Sequence, residues 1–387
     1  MRVLFTFVGG TGHSEPMVPV AKSLLDVGHT VGFAGDQRYL SRLSQQGFDV
    51  ITADSAAWVP ERRQALVEPD QAHEDAALQN HYVGEVPRRR IETYQRLFAD
   101  WEPDLLVRDE ADFGAAIVAE QLAIPRVEVL IAAAGATLRP EVIGHAWNRL
   151  RAAHDLPADH DFGRLYEDLV LSPFPPRFRD PEYPLPRTAQ SFRRDLPDER
   201  KSELPPWWPR DPDLLIIYVT LGTVFPLESG DLFERILLGL GQLQADVVTT
   251  VGPDLDPAAL GSQPDHVHVE QWLPQAQVMP HVDLVVSHGG SGTISDALQH
   301  GVPQLVVPLG ADQMHNARRV EALGIGHSLH PITTTSEQFR DAAASLITDR
   351  CARAAAARFR AEIAALPSPA QLLGSLETLG LSRGLRS

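Results

Sequence analysis

Two histidines in this 387-residue chain stand where side-chain chemistry is possible. His13 lies in Gly9-Gly10-Thr11-Gly12-His13-Ser14-Glu15-Pro16, after an apolar first strand and at the opening of a helix. The carboxyl edge of a parallel sheet is where ligands bind in open α/β folds, and a neutral imidazole has a pKa suited to proton transfer near neutrality. Away from such an edge, a loop histidine reads as a surface or capping residue. A base of this kind benefits from an anion that fixes its tautomer. Asp109, first off the strand Leu105-Leu-Val-Arg108, is the favoured partner, with Glu110, Asp112 and Glu15 as competitors. His288 belongs to a different pattern. An apolar run Asp283–His288 breaks into Gly289-Gly290-Ser291-Gly292, helical spacing covers Thr293–His300, Gly301-Val302-Pro303 stops it, and Gln304–Pro308 is apolar again. In a parallel sheet this β-α-β unit offers first-turn N–H groups and a helix dipole to an anion, with His288 at the same mouth. Thr220-Leu221-Gly222-Thr223, a strand end breaking into a glycine loop, reads either as an ordinary turn or as a second phosphate contact.

The elements that must position these residues follow from periodicity. Strands are expected over 2–8, 30–34, 48–51, 104–107 and 126–130, with helices over 15–27, 37–46 and 112–122 and a long polar helical region over 71–100. Strand–helix alternation implies parallel βαβ units and a doubly wound sheet. Residues 54–95 and 135–185 are weaker in pattern, as insertions that carry variable substrate contacts often are. The stretch 172–213 is crowded with proline, which opposes regular elements and suits a connection between domains. A fresh alternation starts at Leu214–Thr220 and runs to about residue 350.

The second pattern is longer than the β-α-β unit alone. Trp272-Leu273-Pro274-Gln275, His281, His288-Gly289-Gly290-Ser291-Gly292-Thr293, Asp296, Gly301-Val302-Pro303 and Asp312-Gln313-x-x-Asn316-Ala317 occur in order. This resembles the nucleotide-sugar signature of inverting glycosyltransferases of the GT-B fold, whose relatives include bacterial antibiotic and macrolide enzymes and plant secondary-product enzymes. The resemblance implies two Rossmann-like doubly wound parallel-sheet domains facing across a cleft. It assigns 1–200 to an acceptor domain, 201–366 to a nucleotide-sugar donor domain, and 367–387 to a C-terminal helix returning to the first. Carried over by position, Trp272 stacks on the nucleobase and Gln275 lies by the base or ribose, beside Leu273. Asp296 falls where the family has a ribose-binding acid, usually Glu. His288 and Thr293 bind the diphosphate with Gly289, Gly290, Ser291, Gly292, Gly222 and Thr223, while Asp312 and Gln313 meet sugar hydroxyls. The family's N-terminal histidine removes the acceptor proton, which gives His13 that role and Asp109 its support. Val118-Ala119-Glu-Gln-Leu122-Ala-Ile124-Pro125 matches the family segment after that aspartate. Ser14 and Glu15 lie beside the base, within reach of sugar or acceptor. Plant enzymes carry Trp-Asn where this chain has Ser291-Gly292, which weakens a UDP-glucose assignment and leaves dTDP- and UDP-sugars both open. The implied reaction is inverting transfer, with no metal and no cofactor beyond the nucleotide sugar, to an apolar natural-product hydroxyl. A homodimer is compatible with this.

Composition bounds the alternatives. Hydrophobic residues make up 43% and charged residues 22% of the chain, as in a soluble globular protein, and no apolar run reaches membrane-span length. Met1–Val8 is too short for a signal peptide and lacks a cleavage site, so a cytoplasmic address is expected. A formal net charge of −17 opposes nucleic-acid binding. Arg88-Arg89-Arg90 and Arg193-Arg194 read as solvated faces. The single cysteine, Cys351, excludes an internal disulfide and a cysteine metal site. Histidines 266, 268, 281, 288, 300, 315, 327 and 330 lack compact ligand spacing. Asp211-Pro-Asp213 and Asp254-Leu-Asp256 match a divalent-metal D-x-D, but neither follows a nucleotide-binding core. Gly10-x-Gly12 with Asp36 imitates a dinucleotide fingerprint without its third glycine, so an NAD oxidoreductase is a minor rival. A non-catalytic nucleotide-sugar-binding protein is the other, and it would not need His13 or Asp109.

Overall fold

Strand β1 (Arg2–Thr6) shows how the first half is built: Val3 and Phe5 point to one face of a sheet, Leu4 to the other, and all three are buried. Parallel sheets are covered on both faces, so their strands read as continuous apolar runs. The computed structural model describes residues 1–54, 63–194, 204–208 and 214–382. These fall into two compact units, one holding 1–54, 71–194 and 366–382, the other 63–70, 204–208 and 214–365.

The first unit continues with α1 (Thr11–Ser14), a 3₁₀ turn, α2 (Val18–Asp26), β2 (Thr30–Asp36), α3 (Gln37–Gln45) and β3 (Asp49–Asp54). Then come α4 (Gln71–Ala77), a π-helical stretch Leu78–Glu85, α5 (Val86–Trp101), β4 (Leu105–Asp109), α6 (Phe113–Gln121) and β5 (Arg126–Val129). Helix α7 (Pro140–Ala153), β6 (Leu169–Ser172) and β7 (Ala189–Ser191) follow. All seven strands are parallel, in the order β3-β2-β1-β4-β5-β6-β7. The order reverses between β1 and β4, which pair from Val3–Leu105 to Thr6–Arg108. Such a reversal opens a crevice at the carboxyl ends of the two strands. One face packs Val3, Phe5, Val107 and Val127 on α2 and α3; the other packs Leu4 and Leu106 on α5, α6 and α7 through Tyr94, Phe98, Ile117 and Trp147.

The second unit runs β8 (Ile216–Thr220), α8 (Leu232–Leu240), β9 (Asp246–Thr250), β10 (Val267–Glu270), α9 (Gln275–Val278), β11 (Leu284–Ser287) and α10 (Ser291–His300). It closes with β12 (Gln304–Val306), α11 (Gln313–Ala322), β13 (Gly326–Ser328), α12 (Ser336–Thr348) and α13 (Arg350–Ala364). Its six parallel strands are ordered β10-β9-β8-β11-β12-β13, so the reversal here lies between β8 and β11. The last helix, α14 (Leu373–Leu381), groups with the first unit, where Leu372 and Leu376 join the core of Val3 and Phe5. Both units are therefore doubly wound parallel sheets, as the alternation predicts.

Several local expectations are corrected. The proline-rich stretch 172–213 does hold a regular strand: β7 pairs with β6 between Pro186 and Arg193, where the sequence happens to be free of proline. Residues 135–185 hold α7, opened by Pro140 in its first turn, and β6. The helical region 71–100 is interrupted by the π-helical stretch. Residues 63–70 group with the second unit, not with their sequence neighbours. There Arg63 forks onto Glu234 at 2.6 and 2.8 Å, Gln64 exchanges backbone hydrogen bonds with Leu227 and Gly230, and Leu66 packs on the core. The boundary near 200 and Asp211-Pro-Asp213 lie outside the described residues, as do 383–387 at the end of the expected tail.

Candidate active site

In the first unit, β1 is followed by Phe7-Val8-Gly9-Gly10 and then by α1, so His13 is carried at the reversal point beside the end of β4. His13 Nδ1 lies 3.1 Å from Asp109 Oδ2. The same oxygen accepts the Val8 N–H at 2.7 Å, and Oδ1 accepts the Ala111 N–H at 2.6 Å. A carboxylate only accepts hydrogen bonds, so the proton of His13 belongs on Nδ1 and Nε2 carries the free lone pair. Gly9 takes φ +85°, and a Cβ there would stand 3.0 Å from Nε2, so glycine serves both the turn and the approach to the imidazole. The competitors are placed elsewhere. Glu110 turns to the N–H groups of Ile131 and Ala132, and Asp112 caps α6 at Ala115 and accepts the Tyr94 hydroxyl at 2.7 Å. Glu15 pairs with Arg42 at 3.2 Å, and Ser14 is buried. Burial pushes both Glu110 and Asp112 above the usual carboxylate range, against the nearby guanidinium groups of Arg179 and Arg90.

Two features of this region escaped the sequence reading. The π-helical stretch lays Tyr82 parallel to the His13 ring, with centroids 6.1 Å apart and planes 4° from coplanar. Single π-helical turns often accompany functional sites, but the polar helical pattern over 71–100 does not say which face Tyr82 presents. Arg90, read as part of a solvated run, is only 2% exposed. It donates to the Phe7 carbonyl at 2.6 Å and to the Tyr94 hydroxyl at 3.2 Å, and it meets Asp54 at 3.3 Å. Burial works against its charge, yet Tyr94, Asp112 and Asp54 more than offset this and hold its pKa above the ordinary arginine value. Arg88 and Arg89 are exposed as expected, whereas Arg193 is tied to the backbone of Leu366 and Pro367.

In the second unit, the loops after β8 and β11 meet at the other reversal point. His288 is buried there, and a Cβ at Gly290 would come within 2.5 Å of its Nε2, one at Gly222 within 2.8 Å. These two glycines therefore make the slot for the imidazole. Gly292 is different: nothing lies within 4 Å of its would-be Cβ, so the open space at the start of α10 is at this residue. Helix geometry leaves the first-turn N–H groups of α10 without intrahelical acceptors. Burial pulls the His288 pKa down to about 4, opposed by a backbone hydrogen bond at Thr220, so the ring is neutral at pH 7. Its Nδ1 has no partner among the described residues.

Around that helix start, Ser291 Oγ donates to Asp312 Oδ2. Asn316 Nδ2 reaches Gly289 O at 2.9 Å, Ser291 Oγ at 3.1 Å and Asp312 Oδ2 at 2.9 Å. Asn316 thus ties together the glycine loop, α10 and α11. Its spacing of four from Asp312 was the available signal for its role. Gln313 is 2% exposed, and its carbonyl oxygen is committed to the Leu309 and Gly310 N–H groups at 2.7 and 3.1 Å. Gln275 Nε2 donates to Asp296 Oδ2 at 2.6 Å, which joins the two residues the signature sets beside base and ribose. Trp272 is 52% exposed and Leu273 is buried, and Thr223 is exposed while Thr293 is buried. Asp256 of the D-x-D caps a short 3₁₀ helix, and Asp36 caps α3. Among the described residues no group of three or more His, Cys, Asp or Glu could hold a metal ion, and no helix is long and apolar enough to cross a membrane.

Residues 234–379 match the family model of the erythromycin biosynthesis protein CIII-like C-terminal domain. Similarity to individual proteins extends over nearly the whole chain. The 4'-demethylrebeccamycin synthase of Lentzea aerocolonigenes is 29% identical, with 98% of this chain and 99% of that protein covered. The L-demethylnoviosyl transferase of Streptomyces niveus is also 29% identical, with 96% of each covered. Among solved structures, the glycosyltransferase SnogD from Streptomyces nogalater superposes with a TM-score of 0.76 at 26% identity, covering 98% of this chain and 99% of that one.

Proposed function

We propose that this chain, a glycosyltransferase of the GT-B fold similar over its whole length to bacterial antibiotic glycosyltransferases, moves a sugar from a dTDP- or UDP-linked donor to a hydroxyl of an apolar polyketide- or macrolide-like acceptor, with inversion. The observation that carries this reading is the contact of 3.1 Å between His13 Nδ1 and Asp109 Oδ2 at the reversal point of the first sheet. With Nδ1 held, Nε2 takes the acceptor proton as the oxygen attacks the anomeric carbon from the side opposite the nucleotide. Positive charge builds on the sugar and negative charge on the departing diphosphate. The start of α10 and Thr293 then act as hydrogen-bond donors to that developing charge, beside the His288 ring, which strengthens their hold in the transition state. Because these groups supply the stabilisation, the reading requires no metal. Trp272 stacks on the base, Gln275 and Asp296 face base and ribose, and Asp312 and Gln313 stand at the sugar. The first unit takes the acceptor and the second the donor, with sequence boundaries near 200 and 366.

The test is calorimetric titration with UDP, dTDP, GDP and NAD, each with and without magnesium. Micromolar, metal-independent binding of dTDP or UDP is expected. Binding of NAD alone would overturn the assignment.

A further inference from the structure

Asp109 is held by a peptide group that is itself held by a buried cation. The Phe7 carbonyl and the Val8 N–H are the two ends of one peptide. Arg90 Nη1 donates to that carbonyl at 2.6 Å, and the N–H at the other end donates to Asp109 Oδ2 at 2.7 Å, the oxygen that faces His13 Nδ1. We propose that Arg90 is a positioning residue for the His13–Asp109 pair and acts through the Phe7–Val8 peptide. The inference rests on the assignment of His13 as the base.

The physical argument has two parts. A guanidinium on the carbonyl polarises the peptide and strengthens its N–H as a donor, because hydrogen bonds in a chain reinforce one another where the dielectric is low. That holds the Asp109 charge in place and makes the carboxylate a weaker pull on the imidazole proton. Arg90 also answers a second buried carboxyl, Asp112, through the Tyr94 hydroxyl, with 3.2 Å from Arg90 to Tyr94 and 2.7 Å from Tyr94 to Asp112. Asp109 and Asp112 act on each other as like charges, and Arg90 opposes that effect.

The other groups facing the pair are committed elsewhere. From β3, Asp54 is shared by Arg90 and Arg89 at 3.3 and 3.2 Å. From β4, Arg108 pairs with Glu128 at 2.8 Å and donates to the carbonyls of Asp109, Glu110 and Asp112. Glu110 faces the Ile131 and Ala132 N–H groups and feels Arg179. On the near side, Glu15 turns to Arg42, and Tyr82, with His81 edge-on to it, covers the His13 ring. Arg90 is therefore the cation whose removal is felt at His13 through a defined chain of bonds.

The experiment is an NMR titration of the histidine ring protons in the full chain, with His13 assigned from H13N, for the wild type, R90Q and R90K. Loss of the cation lets the imidazolium form more easily. R90Q is expected to raise the His13 pKa by about half a unit or more, roughly a threefold change in proton affinity. R90K keeps a charge but loses the planar fork and should raise it by less. An unchanged His13 pKa in a folded R90Q, with nucleotide binding intact, overturns the proposal. Should R90Q not fold, R90K decides alone, and an unmoved His13 overturns it equally. This readout needs no acceptor and does not depend on what His13 does in turnover. Sugar transfer surviving in H13A would sink the base assignment by itself, so the two failures are distinguishable. With an acceptor in hand, the acid limb of kcat/KM in R90Q should move to higher pH by the same amount.

Discussion

At the scale of single residues, the two histidines sit in opposite surroundings. His13 is partly open and braced by a carboxylate, whereas His288 is enclosed and neutral. Replacing His13 by Ala should lower sugar transfer by ~10²–10⁴-fold, the span of general-base contributions, and leave dTDP or UDP affinity within about twofold by calorimetry. Loss of nucleotide binding in that variant would place His13 in the donor site instead. For His288 the pH argument concerns stability. Its folded pKa, about 4, lies below the unfolded value of 6.5, so the unfolded chain takes up a proton first as the pH falls. Stability is unaffected by this group above pH 6.5, falls between 6.5 and 4, and levels off below, a loss of about 3 kcal/mol across the window. Thermal midpoints at pH 7.5, 5.5 and 4.5 check this: H288Q should fall less steeply than the wild type. Parallel curves would mean that His288 is not buried in its neutral form. The sequence reading reached the histidines and their acidic partner because type, strand ends and motif spacing all pointed to them. It missed Arg90 and Tyr82 because burial of a charge and the face of a π-helical turn are decided by tertiary neighbours, which a run of arginines does not reveal.

At the scale of elements, the glycine loop before α10 carries two separable tasks. Gly290 clears His288, and Gly292 leaves the helix start open. G290A should destabilise the fold, since a methyl 2.5 Å from a buried ring forces one of them to move. G292A should leave the thermal midpoint near the wild-type value yet weaken nucleotide binding, because the new methyl occupies space beside the first-turn N–H groups. Equal nucleotide affinity in G292A, measured by calorimetry, would move the phosphate away from α10. At the other end of the unit, α12 opens with a full capping box of Thr335 and Gln338, and T335A should cost about 1 kcal/mol in urea unfolding. Element order was legible because both sheets are built from apolar runs buried on two faces. What periodicity could not give was β7, three residues long among prolines, or α7, whose polar residues are spent on tertiary contacts such as Asn148 with Asp159. Short elements hold their conformation through their neighbours, so their signal lies outside their own sequence.

At the scale of the molecule, each unit has its own two-faced core, and the residues proposed to hold the nucleotide all belong to the second unit. In scanning calorimetry, dTDP or UDP at about a hundred times its Kd should stabilise the transition of the second unit by about 2.7 kcal/mol. A shift of the first unit's transition alone would contradict the division of labour. Two domains were readable from length and from the restart of alternation at Leu214. The placement of 63–70 was not, because eight residues with one buried leucine carry no period to read. That excursion matters to anyone who would build hybrids from this scaffold. The backbone passes between the units four times, so a second unit exchanged as one contiguous block would keep a foreign Leu66 and Arg63 against the new core and Glu234 position. A working chimera must transplant two pieces together, the large block and the 63–70 staple, with the junction placed ahead of Leu366 so that the tail stays with its own half. The modular unit of this enzyme is thus a discontinuous one, and recombination that respects only the linear order of the gene would cut through it.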